Sequence, residues 1–383
     1  MRILADQNIP LVEAFFGELG EITRLPGRQI DAAAVCDHDI LLVRSITRVD
    51  AGLLDGSRVK FVGTCTIGTD HVDQAYLREN GIGFASAPGC NAESVVDYVL
   101  SSLLLLAEEA GESLDARTVG IVGAGNVGSR LAKRLDGMDV PYLICDPPRA
   151  RDEGRDDFID LDTLIERCDV VCLHTPLVKT GDHPTRHLMD ARRIQALRPG
   201  SVLLNAGRGA CLDNTALRER LAAGGDLRCV LDVWEGEPGI DEALYPLVDI
   251  ATPHIAGHSL DGKMRGTELV YQAVMNHYGL PVRCKLGQLK PDPWLRKLVL
   301  TEWAPPLEAL ALCVRACYDV RRDMVGFERY RRRLGMAEGF DRYRAEYPVR
   351  REFSTLRVDL KKNNNDLREA IAGFGFKVKL AGK

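Results

Sequence analysis

Thr118-Val-Gly-Ile-Val122 runs directly into Gly123-Ala-Gly-Asn-Val-Gly128, and this segment carries the strongest structural signal in the chain. The first part is an apolar run with the length of a buried strand, and the residues from Ser129 to Leu135 have helical character. A strand, a glycine-rich turn and a helix in this order begin a βαβ unit, in which the strands lie parallel in one sheet. The stretch therefore predicts an α/β domain with a doubly wound parallel sheet.

Each of the three glycines of this turn has its own structural role. Gly123 permits the tight turn, Gly125 lets the backbone approach a pyrophosphate closely, and Gly128 allows the helix to pack against the strand. The N-terminus of the helix then faces the anion with its free N–H groups. Because the strand and the helix accompany the glycines, the turn predicts a dinucleotide site; the glycines alone would indicate only a glycine-rich turn.

The next predicted strand ends in Asp146, about 20 residues beyond the glycine turn. A carboxylate at this place accepts hydrogen bonds from an adenosine ribose diol and repels the 2′-phosphate of NADP. Arg149 and Arg151 follow closely and soften this preference. We therefore expect the cofactor to be NAD.

Apolar segments bounded by turns predict two α/β series along the chain. The first series contains the predicted strands Arg2–Ala5, Ile40–Val43, Val59–Gly63 and Ile82–Ala85. A long helix, capped by Asn91 or Ser94 and ending near Glu109, separates it from the second series. The second series contains the predicted strands Thr118–Val122, Tyr142–Cys145, Val170–His174, Val202–Asn205 and Cys229–Val233.

The region after residue 285 differs from both series. It is rich in arginine from Arg315 to Arg351, and a predicted strand (Phe353–Leu360), helix (Asn364–Ala372) and strand (Phe376–Leu380) follow. We therefore predict two Rossmann-like doubly wound parallel-sheet domains and a smaller C-terminal α/β domain. Their predicted bounds are residues 1–92 with 258–284, residues 93–257, and residues 285–383.

The composition narrows the class of protein. Of the 383 residues, 45% are hydrophobic and 27% are charged, and the formal net charge of −5 gives no positive field to attract nucleic acid or a membrane surface. The apolar stretch from Val95 to Ala107 is shorter than the roughly 20 residues that a membrane span needs. Eleven scattered cysteines show no zinc-ligand pattern, and Met1–Asn8 is typical of a strand rather than a signal peptide. We expect a cytoplasmic protein with reduced thiols and no metal.

Polar residues follow three of the later apolar segments. Arg208 lies in Asn205-Ala-Gly-Arg-Gly, Glu237 precedes a proline, and His254 begins His-Ile-Ala-Gly257. Oxidation of an alcohol by hydride transfer needs a base for the hydroxyl proton, a cation for the substrate carboxylate and a group that sets the pKa of the base. Histidine, arginine and glutamate supply these roles at the carboxyl ends of strands, where ligands of open α/β sheets bind. Taken singly, each residue also has a purely structural interpretation: His254 as a hydrogen-bonded core histidine, Arg208 as part of a surface ion pair and Glu237 as a solvated loop acid.

With these motifs in order, the sequence resembles the D-2-hydroxyacid dehydrogenase family over roughly residues 1–280. The motifs are the glycine turn, His174-Thr-Pro-Leu177, Asn205-x-x-Arg208-Gly, Glu237-Pro and His254-Ile-Ala-Gly257. The resemblance implies that Arg208 holds the substrate carboxylate, His254 exchanges the hydroxyl proton and Glu237 supports the histidine. It also implies NAD contacts at Gly123, Gly125, Asn126, Val127, Gly128, Asp146, Thr175, Ala206, Gly207, Arg208, Asp232 and Gly257.

Within the family, further segments of the chain resemble those of one group of enzymes. This group oxidises a small phosphorylated hydroxy acid in vitamin B6 biosynthesis. The segments are Leu42–Thr47, Gly63–His71, Pro88–Asn91, Asp261–Thr267 and an extra C-terminal domain, which by this resemblance forms a homodimer. The resemblance implies substrate contacts by Arg44, Ser45, Thr66 and His258. Arg44 and Ser45 suit a phosphate, and Thr66 with nearby amides suits the carboxylate end. Relatives commonly carry tyrosine where this chain has His258, whose imidazole still donates a hydrogen bond.

Three alternatives stay open at this point. Another dehydrogenase of the family, such as one acting on 3-phosphoglycerate, shares the same three catalytic residues. A non-enzymatic NAD-sensing interaction protein is the second alternative, since some relatives use the fold to recruit partners. The arginine-rich segment is also compatible with a nucleic-acid surface, although Asp323, Glu328, Glu338, Asp341 and Glu346 interrupt it and favour salt bridges between subunits or with solvent.

Overall fold

The computed structural model describes residues 1–361 and 364–380. Two compact units divide the chain: residues 1–92 with 258–292 form the first unit, and residues 93–257 with the C-terminal part from residue 293 form the second. Parallel sheets with connecting helices in both units confirm the predicted α/β fold class. The separate domain predicted for residues 285–383 stays a prediction, and residues 362–363 and 381–383 of it lie outside the described residues.

The strands and helices follow one another along the chain as expected for repeated βα units. The strands are β1 (Arg2–Asp6), β2 (Glu21–Leu25), β3 (Ile40–Val43), β4 (Phe61–Thr64), β5 (Gly83–Ala85), β6 (Val119–Val122), β7 (Tyr142–Cys145), β8 (Val170–Leu173), β9 (Val202–Asn205), β10 (Arg228–Leu231), β11 (Ile250–Ala251), β12 (Lys297–Leu300), β13 (Arg357–Leu360) and β14 (Lys377–Leu380).

The α-helices vary from one turn to five turns. They are α1 (Val12–Phe16), α2 (Ala32–Val35), α3 (Ala51–Leu54), α4 (Gln74–Glu79), α5 (Ala92–Ala110), α6 (Gly128–Asp136), α7 (Pro147–Glu153), α8 (Leu161–Arg167), α9 (Ala191–Ala196), α10 (Asn214–Gly224), α11 (Leu260–His277), α12 (Leu286–Leu289), α13 (Pro306–Cys317), α14 (Val320–Leu334), α15 (Met336–Ala345) and α16 (Asn365–Gly373). Short 3₁₀ turns lie at Gly27–Gln29, Leu114–Ala116, Gly209–Cys211, Tyr245–Leu247 and Phe353–Thr355.

The first unit contains a parallel sheet with the strand order β2-β1-β3-β4-β5. Helix α11 returns to this unit from the later part of the chain and packs against α1 and the sheet. The ring of Tyr271 on α11 lies 5.2 Å from that of Phe15 and 5.5 Å from that of Phe16, measured between centroids. The core of this unit therefore combines the first residues of the chain with residues beyond 258.

The second unit contains a parallel sheet with the order β11-β10-β9-β8-β6-β7. The chain passes from β6 to β7 on one side and continues with β8 on the other side of β6. This reversal is the topological switch point at which open α/β sheets bind ligands. The glycine turn Gly123–Gly128 follows β6 directly at this point.

The C-terminal part of the second unit adds a smaller parallel sheet with the order β12-β13-β14. Its inner side belongs to the same apolar core as α5: Phe353 stacks on Phe376 with ring centroids 4.7 Å apart, and both lie in one buried cluster with Val96 and Leu100. Burial of this apolar surface attaches the C-terminal segments to the rest of the unit.

Aspartates start several helices of the second unit. The side chains of Asp160, Asp190 and Asp213 accept hydrogen bonds from the amides of Thr163, Arg193 and Ala216, at 2.9, 2.9 and 3.0 Å. Each satisfies an N–H group that the first helical turn leaves without a partner. These caps fix where the chain turns from each loop into the following helix.

Some predicted elements were wrong in detail. Ser94 lies inside α5 and is fully buried, so it does not cap that helix. Residues Phe353–Thr355 form a 3₁₀ turn, and the strand begins only at Arg357. The sequence also did not predict β2, β11 and β12, since β2 carries the charged residues Glu21 and Arg24 at a sheet edge and β11 spans only Ile250–Ala251.

Within residues 1–361 and 364–380, no helix has both the length and the hydropathy that a membrane crossing requires.

Substitution of Gly120 in β6 tests how tightly the sheet of the second unit packs against helix α8. A Cβ atom there would lie 2.3 Å from Cδ2 of Leu164 on α8, so we expect Gly120→Ala to lower the free energy of unfolding by about 1–3 kcal/mol. The matched control is Gly224→Ala at the end of α10, where a Cβ atom meets nothing within 4 Å. Urea unfolding measures both variants, and equal effects would contradict the packing argument.

Candidate active site

The three residues predicted to be catalytic lie in loops that follow neighbouring strands. Arg208 follows β9, Glu237 follows β10 and His254 follows β11, and these strands are adjacent in the sheet order β11-β10-β9. Because the strands are parallel, their carboxyl ends share one edge of the sheet. The topology therefore brings together residues that are far apart in the sequence.

Glu237 and His254 form a direct hydrogen bond. The Nδ1 atom of His254 lies 2.8 Å from Oε2 of Glu237, and the other oxygen, Oε1, accepts the amide of Trp234 at 2.7 Å. Burial alone would raise the pKa of Glu237, but the hydrogen bond and the charge of His254, the Trp234 amide and the charge of Arg344 lower this pKa below its ordinary value. The carboxylate therefore stays ionised and orients the imidazole through Nδ1, so Nε2 is the ring nitrogen left to exchange a proton with a substrate.

The backbone of His254 adopts a left-handed conformation with φ of 56°, which is unusual for a residue other than glycine. Asp232, at the end of β10, holds this segment. Its carbonyl accepts the amide of His254 at 2.6 Å, and its carboxylate accepts the amides of Ile255 and Ala256 at 2.8 and 2.9 Å. These bonds stabilise the conformation that directs the imidazole toward Glu237.

A buried polar chain continues from Asp232. Its Oδ1 also accepts the hydroxyl of Thr252 at 2.7 Å, and the Tyr98 hydroxyl on α5 lies 2.8 Å from that of Thr252. Burial raises the pKa of Asp232, while the charge of His254 and the donors Ile255, Ala256 and Thr252 act in the opposite direction. The sequence assigned no role to Tyr98 or Thr252, because neither belongs to a recognised motif.

Arg208 lies in a loop that is held from both ends. Asn205 accepts the amide of Gly207 at 3.1 Å and donates its side-chain amide to the carbonyl of Arg208 at 3.0 Å. A Cβ atom on Gly209 would lie 2.0 Å from the carbonyl oxygen of Trp234, so the loop after β9 packs closely against the loop after β10. Only glycine permits this approach of the Arg208 loop to the loop that bears Glu237.

Glu235 anchors the loop of Glu237 a second time. The Nε2 atom of His187 lies 2.7 Å from Oε1 of Glu235, and the amide of Asn214 donates to Oε2 at 3.3 Å. The side chain of Asn214 in return accepts the amide of Glu235 at 3.2 Å. His187 and Asn214 lie outside the sequence motifs, so no local pattern predicted their contacts with this loop.

In the first unit, the predicted substrate residues follow two adjacent strands. Arg44 and Ser45 follow β3, and Thr66 follows β4, with Thr66 Oγ1 lying 2.8 Å from Thr64 Oγ1. Ser45 is exposed, and Arg44 and Thr66 are half-buried. His258 is half-buried and directly precedes Ser259, the N-cap of α11. The sheet of the first unit thus brings Arg44, Ser45 and Thr66 to one edge.

Comparison with known proteins agrees with this geometry. A family model described as the NAD-binding domain of D-isomer-specific 2-hydroxyacid dehydrogenases matches residues 105–256, and a domain of unknown function matches residues 289–373. Over the full length of both proteins, the chain is 76% identical to an erythronate-4-phosphate dehydrogenase of Chromohalobacter salexigens. It is 56% identical to one of Azotobacter vinelandii over 98% of this chain and 99% of the relative.

The chain belongs to the erythronate-4-phosphate dehydrogenase branch of the D-2-hydroxyacid dehydrogenase family. A crystal structure of the TT0316 protein from Thermus thermophilus is also similar, with 28% identity and a TM-score of 0.61 over 74% of this chain and 98% of that protein. The resemblance found in the sequence is therefore confirmed, as are the predicted enzyme class, an NAD-dependent dehydrogenase, and the NAD cofactor.

The glycine turn of this D-2-hydroxyacid dehydrogenase fits a dinucleotide. Gly123 has a φ of 94°, and a Cβ atom on Gly128 would lie 2.0 Å from the carbonyl oxygen of Gly123, so both places require glycine. A Cβ atom on Gly125 would meet nothing within 4 Å, so the backbone here borders open space, which a side chain would partly fill. The three different environments match the three reasons inferred from the sequence.

His174 follows β8 at the switch point, beside the glycine turn. Its carbonyl oxygen lies 3.1 Å from the Cβ position of Gly123, and neither of its buried ring nitrogens has a hydrogen-bond partner in the described part of the chain. Burial lowers the pKa of His174 to about 4, so the ring is neutral near pH 7. Buried polar atoms without partners are uncommon in folded proteins and are consistent with a site that a bound group completes.

The remaining predicted cofactor residues lie at the same edge of the sheet. Thr175 follows β8, Ala206 and Gly207 follow β9, Asp232 follows β10 and Gly257 follows β11. Asp146 follows β7, where its Oδ2 accepts the Ala124 amide at 2.7 Å and its Oδ1 caps α7. Asn126 and Val127 lie in the glycine turn itself. Their individual contacts with NAD stay predictions.

His174 gives a prediction for the pH dependence of stability. The pKa of an unfolded histidine is about 6.5, so between about pH 6.5 and the folded value of about 4 the unfolded chain binds a proton that the folded chain does not. The free energy of unfolding should therefore fall on acidification through this range, and fall less in His174→Asn than in the wild type.

Urea unfolding at a series of pH values measures this effect. His183→Asn serves as the control because His183 is exposed, and it should follow the wild-type curve. Parallel curves for the wild type and His174→Asn would show that His174 does not titrate as its burial implies.

Proposed function

We propose that this protein oxidises 4-phospho-D-erythronate to (R)-3-hydroxy-2-oxo-4-phosphooxybutanoate, with NAD as the oxidant, in pyridoxal 5′-phosphate biosynthesis. The observation that carries the chemistry is the hydrogen bond between His254 and Glu237, because it gives an imidazole base a carboxylate partner that stabilises its protonated form. The substrate is inferred from the full-length similarity to relatives that bear this activity in their names.

In the proposed reaction, His254 accepts the proton of the C2 hydroxyl at Nε2. The negative charge of Glu237 at Nδ1 stabilises the resulting imidazolium. Arg208 binds the substrate carboxylate and stabilises negative charge on the C2 oxygen. Bound NAD⁺ supplies the oxidising power by accepting the hydride from C2. The proton and the hydride together account for the two hydrogens that the alcohol loses.

Arg44 and Ser45 are proposed to bind the phosphate of the substrate, Thr66 its carboxylate end, and His258 a hydroxyl or phosphate oxygen. A guanidinium and a hydroxyl at the end of one strand suit a phosphate, which accepts several charge-assisted hydrogen bonds. The turn that bears Arg44 is anchored by the Thr47 hydroxyl, which donates to the carbonyl of Gly27 at 2.9 Å.

NAD is proposed to bind along the carboxyl edge of the second sheet, with its pyrophosphate at the glycine turn and its adenosine ribose at Asp146. Arg149 and Arg151 near Asp146 each pair with a carboxylate, Glu153 and Asp152, which weakens their attraction for the 2′-phosphate of NADP. Arg149 donates to the carbonyl of Ala124, contacts Ser129 at 2.7 Å and pairs with Glu153, so its charge is already compensated.

We also propose that the protein is a cytoplasmic homodimer associated through its C-terminal part. Large apolar side chains are exposed there: Trp294 and Trp303 are 79% and 83% exposed, and Leu307 and Leu312 on α13 are also exposed. Exposed apolar groups of this size mark association surfaces in many proteins. The eleven cysteines are free thiols, consistent with a reducing compartment.

Steady-state kinetics test the substrate and the catalytic residues together. We expect kcat/KM to be at least about tenfold higher for 4-phospho-D-erythronate than for 3-phosphoglycerate. Arg208→Ala should lower kcat/KM for the preferred substrate by about 10²- to 10³-fold, since it removes a charge that acts on the reacting groups.

Arg218→Ala is the matched control for Arg208→Ala. Arg218 forms a half-exposed ion pair with Asp241 on the same unit, so its loss should change kcat/KM by less than about twofold. A preference for 3-phosphoglycerate would refute the substrate, and wild-type kinetics of Arg208→Ala would refute the proposed catalytic role.

The dimer is tested with the full-length chain. We expect the wild type to have twice the chain mass of 42.2 kDa in sedimentation equilibrium, and the double variant Trp303→Glu, Leu307→Glu to approach the mass of one chain. Val178→Glu, an exposed apolar position after β8, is the control and should remain a dimer. A monomeric wild type, or a double variant with unchanged mass, would contradict the proposed interface.

A further inference from the structure

Arg350 is a buried arginine outside every motif of the sequence. It lies in the loop between α15 and the turn Phe353–Thr355, only 1% of its surface is exposed, and its guanidinium stands 3.6 Å from the ring centroid of Tyr318. Burial of an arginine costs free energy unless its donors find acceptors. The contacts of Arg350 therefore indicate what this segment does in the folded chain.

The acceptors of Arg350 are main-chain carbonyls of the catalytic segment. Its Nη1 lies 3.1 Å from the carbonyl oxygen of Ala256 and 3.5 Å from that of Ile255, and its Nη2 donates to the carbonyl of Ser94 on α5. Ile255 and Ala256 directly follow His254. One C-terminal side chain thus connects the long helix α5 to the peptide that carries the catalytic imidazole.

The same two residues are held on their other side by Asp232. Asp232 accepts the amides of Ile255 and Ala256, while Arg350 is bound by their carbonyls. A negative and a positive buried side chain therefore act on opposite polar groups of one short segment, and each polarises the groups that the other binds. The left-handed backbone of His254, with φ of 56°, lies immediately before this doubly held segment.

The charge of Arg350 is maintained inside the protein. Burial by itself disfavours the charged form, but the neighbouring groups Tyr318, Tyr347, Asp323 and Asp97 raise the pKa of Arg350 above its ordinary value. The guanidinium also stacks over Tyr318 as a cation–π pair. The segment therefore contacts a permanent, rigidly placed cation.

We propose that Arg350 is a positioning residue of the dehydrogenase, which holds the segment after His254 so that the imidazole keeps its hydrogen bond with Glu237. This inference rests on the proposed role of His254 as the base. It assigns the C-terminal part a function within its own active site, in addition to the proposed association of subunits. An alternative, purely structural role would affect folding without affecting the imidazole.

Arg220 provides the matched control for this distinction. It is also a buried arginine of the second unit, and it donates to the carbonyls of Ile194 and Leu197 and pairs with Asp226 at 2.8 Å. Its carbonyl acceptors lie at the end of α9 and Asp226 follows α10, outside the loops of Arg208, Glu237 and His254. Arg220→Ala thus removes a comparable set of buried contacts without touching the catalytic segment.

The first test compares Arg350→Ala, Arg350→Lys and Arg220→Ala in steady-state kinetics and thermal unfolding. Misplacement of a reacting group by about 1 Å costs on the order of 10²-fold in rate, so we expect kcat of Arg350→Ala to fall by about that factor. KM for NAD should change by less than about threefold, because the glycine turn is untouched. Arg350→Lys keeps the charge but presents a single nitrogen, and its kcat should lie between those of the wild type and Arg350→Ala.

Arg220→Ala should lower the unfolding temperature while its kcat stays within about twofold of the wild type. The proposal is overturned if folded Arg350→Ala keeps a wild-type kcat, or if Arg220→Ala loses as much kcat as Arg350→Ala. If Arg350→Ala does not fold, Arg350→Lys decides: a reduced kcat in a folded protein supports the proposal, and a wild-type kcat overturns it.

The second test observes the imidazole of His254 directly by NMR, in the absence of cofactor and substrate. The hydrogen-bonded Nδ1 proton of His254 is assigned in the proton NMR spectrum by its loss in His254→Gln. We expect this signal to shift or disappear in Arg350→Lys and to remain in Arg220→Ala; an unchanged signal in Arg350→Lys overturns the proposal. A wild type inactive toward 4-phospho-D-erythronate would refute the proposed function alone, since the NMR result would still decide the role of Arg350.

Discussion

The carboxylate of Asp232 is the constraint on which the catalytic arrangement depends. It is buried at the end of β10 and accepts the amides of Ile255 and Ala256, while the Asp232 carbonyl accepts the amide of His254. A free chain would rarely adopt the left-handed conformation of His254, so these bonds must outweigh its cost of on the order of 1–3 kcal/mol. Once the segment is fixed, the imidazole meets Glu237, and the base acquires both its orientation and its charged partner.

Residues outside the sequence motifs make most of the contacts that fix the neighbouring loops to this segment. Gly209 permits the loop of Arg208 to touch the carbonyl of Trp234, and His187 and Asn214 bind Glu235 from the other side. The support of these loops thus comes from a glycine, an asparagine and a histidine that no sequence motif marks. Rigid support of this kind lets a site on loops keep the geometry that proton transfer requires.

The parts of the fold and site that the sequence predicted are those with a local signal. Strands β3, β7 and β9 matched their predicted bounds because each is a short apolar run between turns. The glycine turn was predicted because local chain geometry demands glycine there, and Asp146 was predicted because a carboxylate at the end of the next strand suits a ribose diol. In contrast, β2 is a charged edge strand, and Arg350 finds its three acceptors 94, 95 and 256 residues earlier in the chain. No pattern within a window of residues reports a contact that depends on the completed tertiary structure.

The first unit is discontinuous in sequence, so it cannot be completed until late in the synthesis of the chain. The aromatic side chains of Phe15 and Phe16 are buried against Tyr271 of α11, which the ribosome adds only after the whole second sheet. Until then, the apolar face of the nascent first sheet lacks its natural cover. The growing chain therefore presents a hydrophobic surface of the kind that chaperones bind, and synthesis of a single late helix ends this exposure.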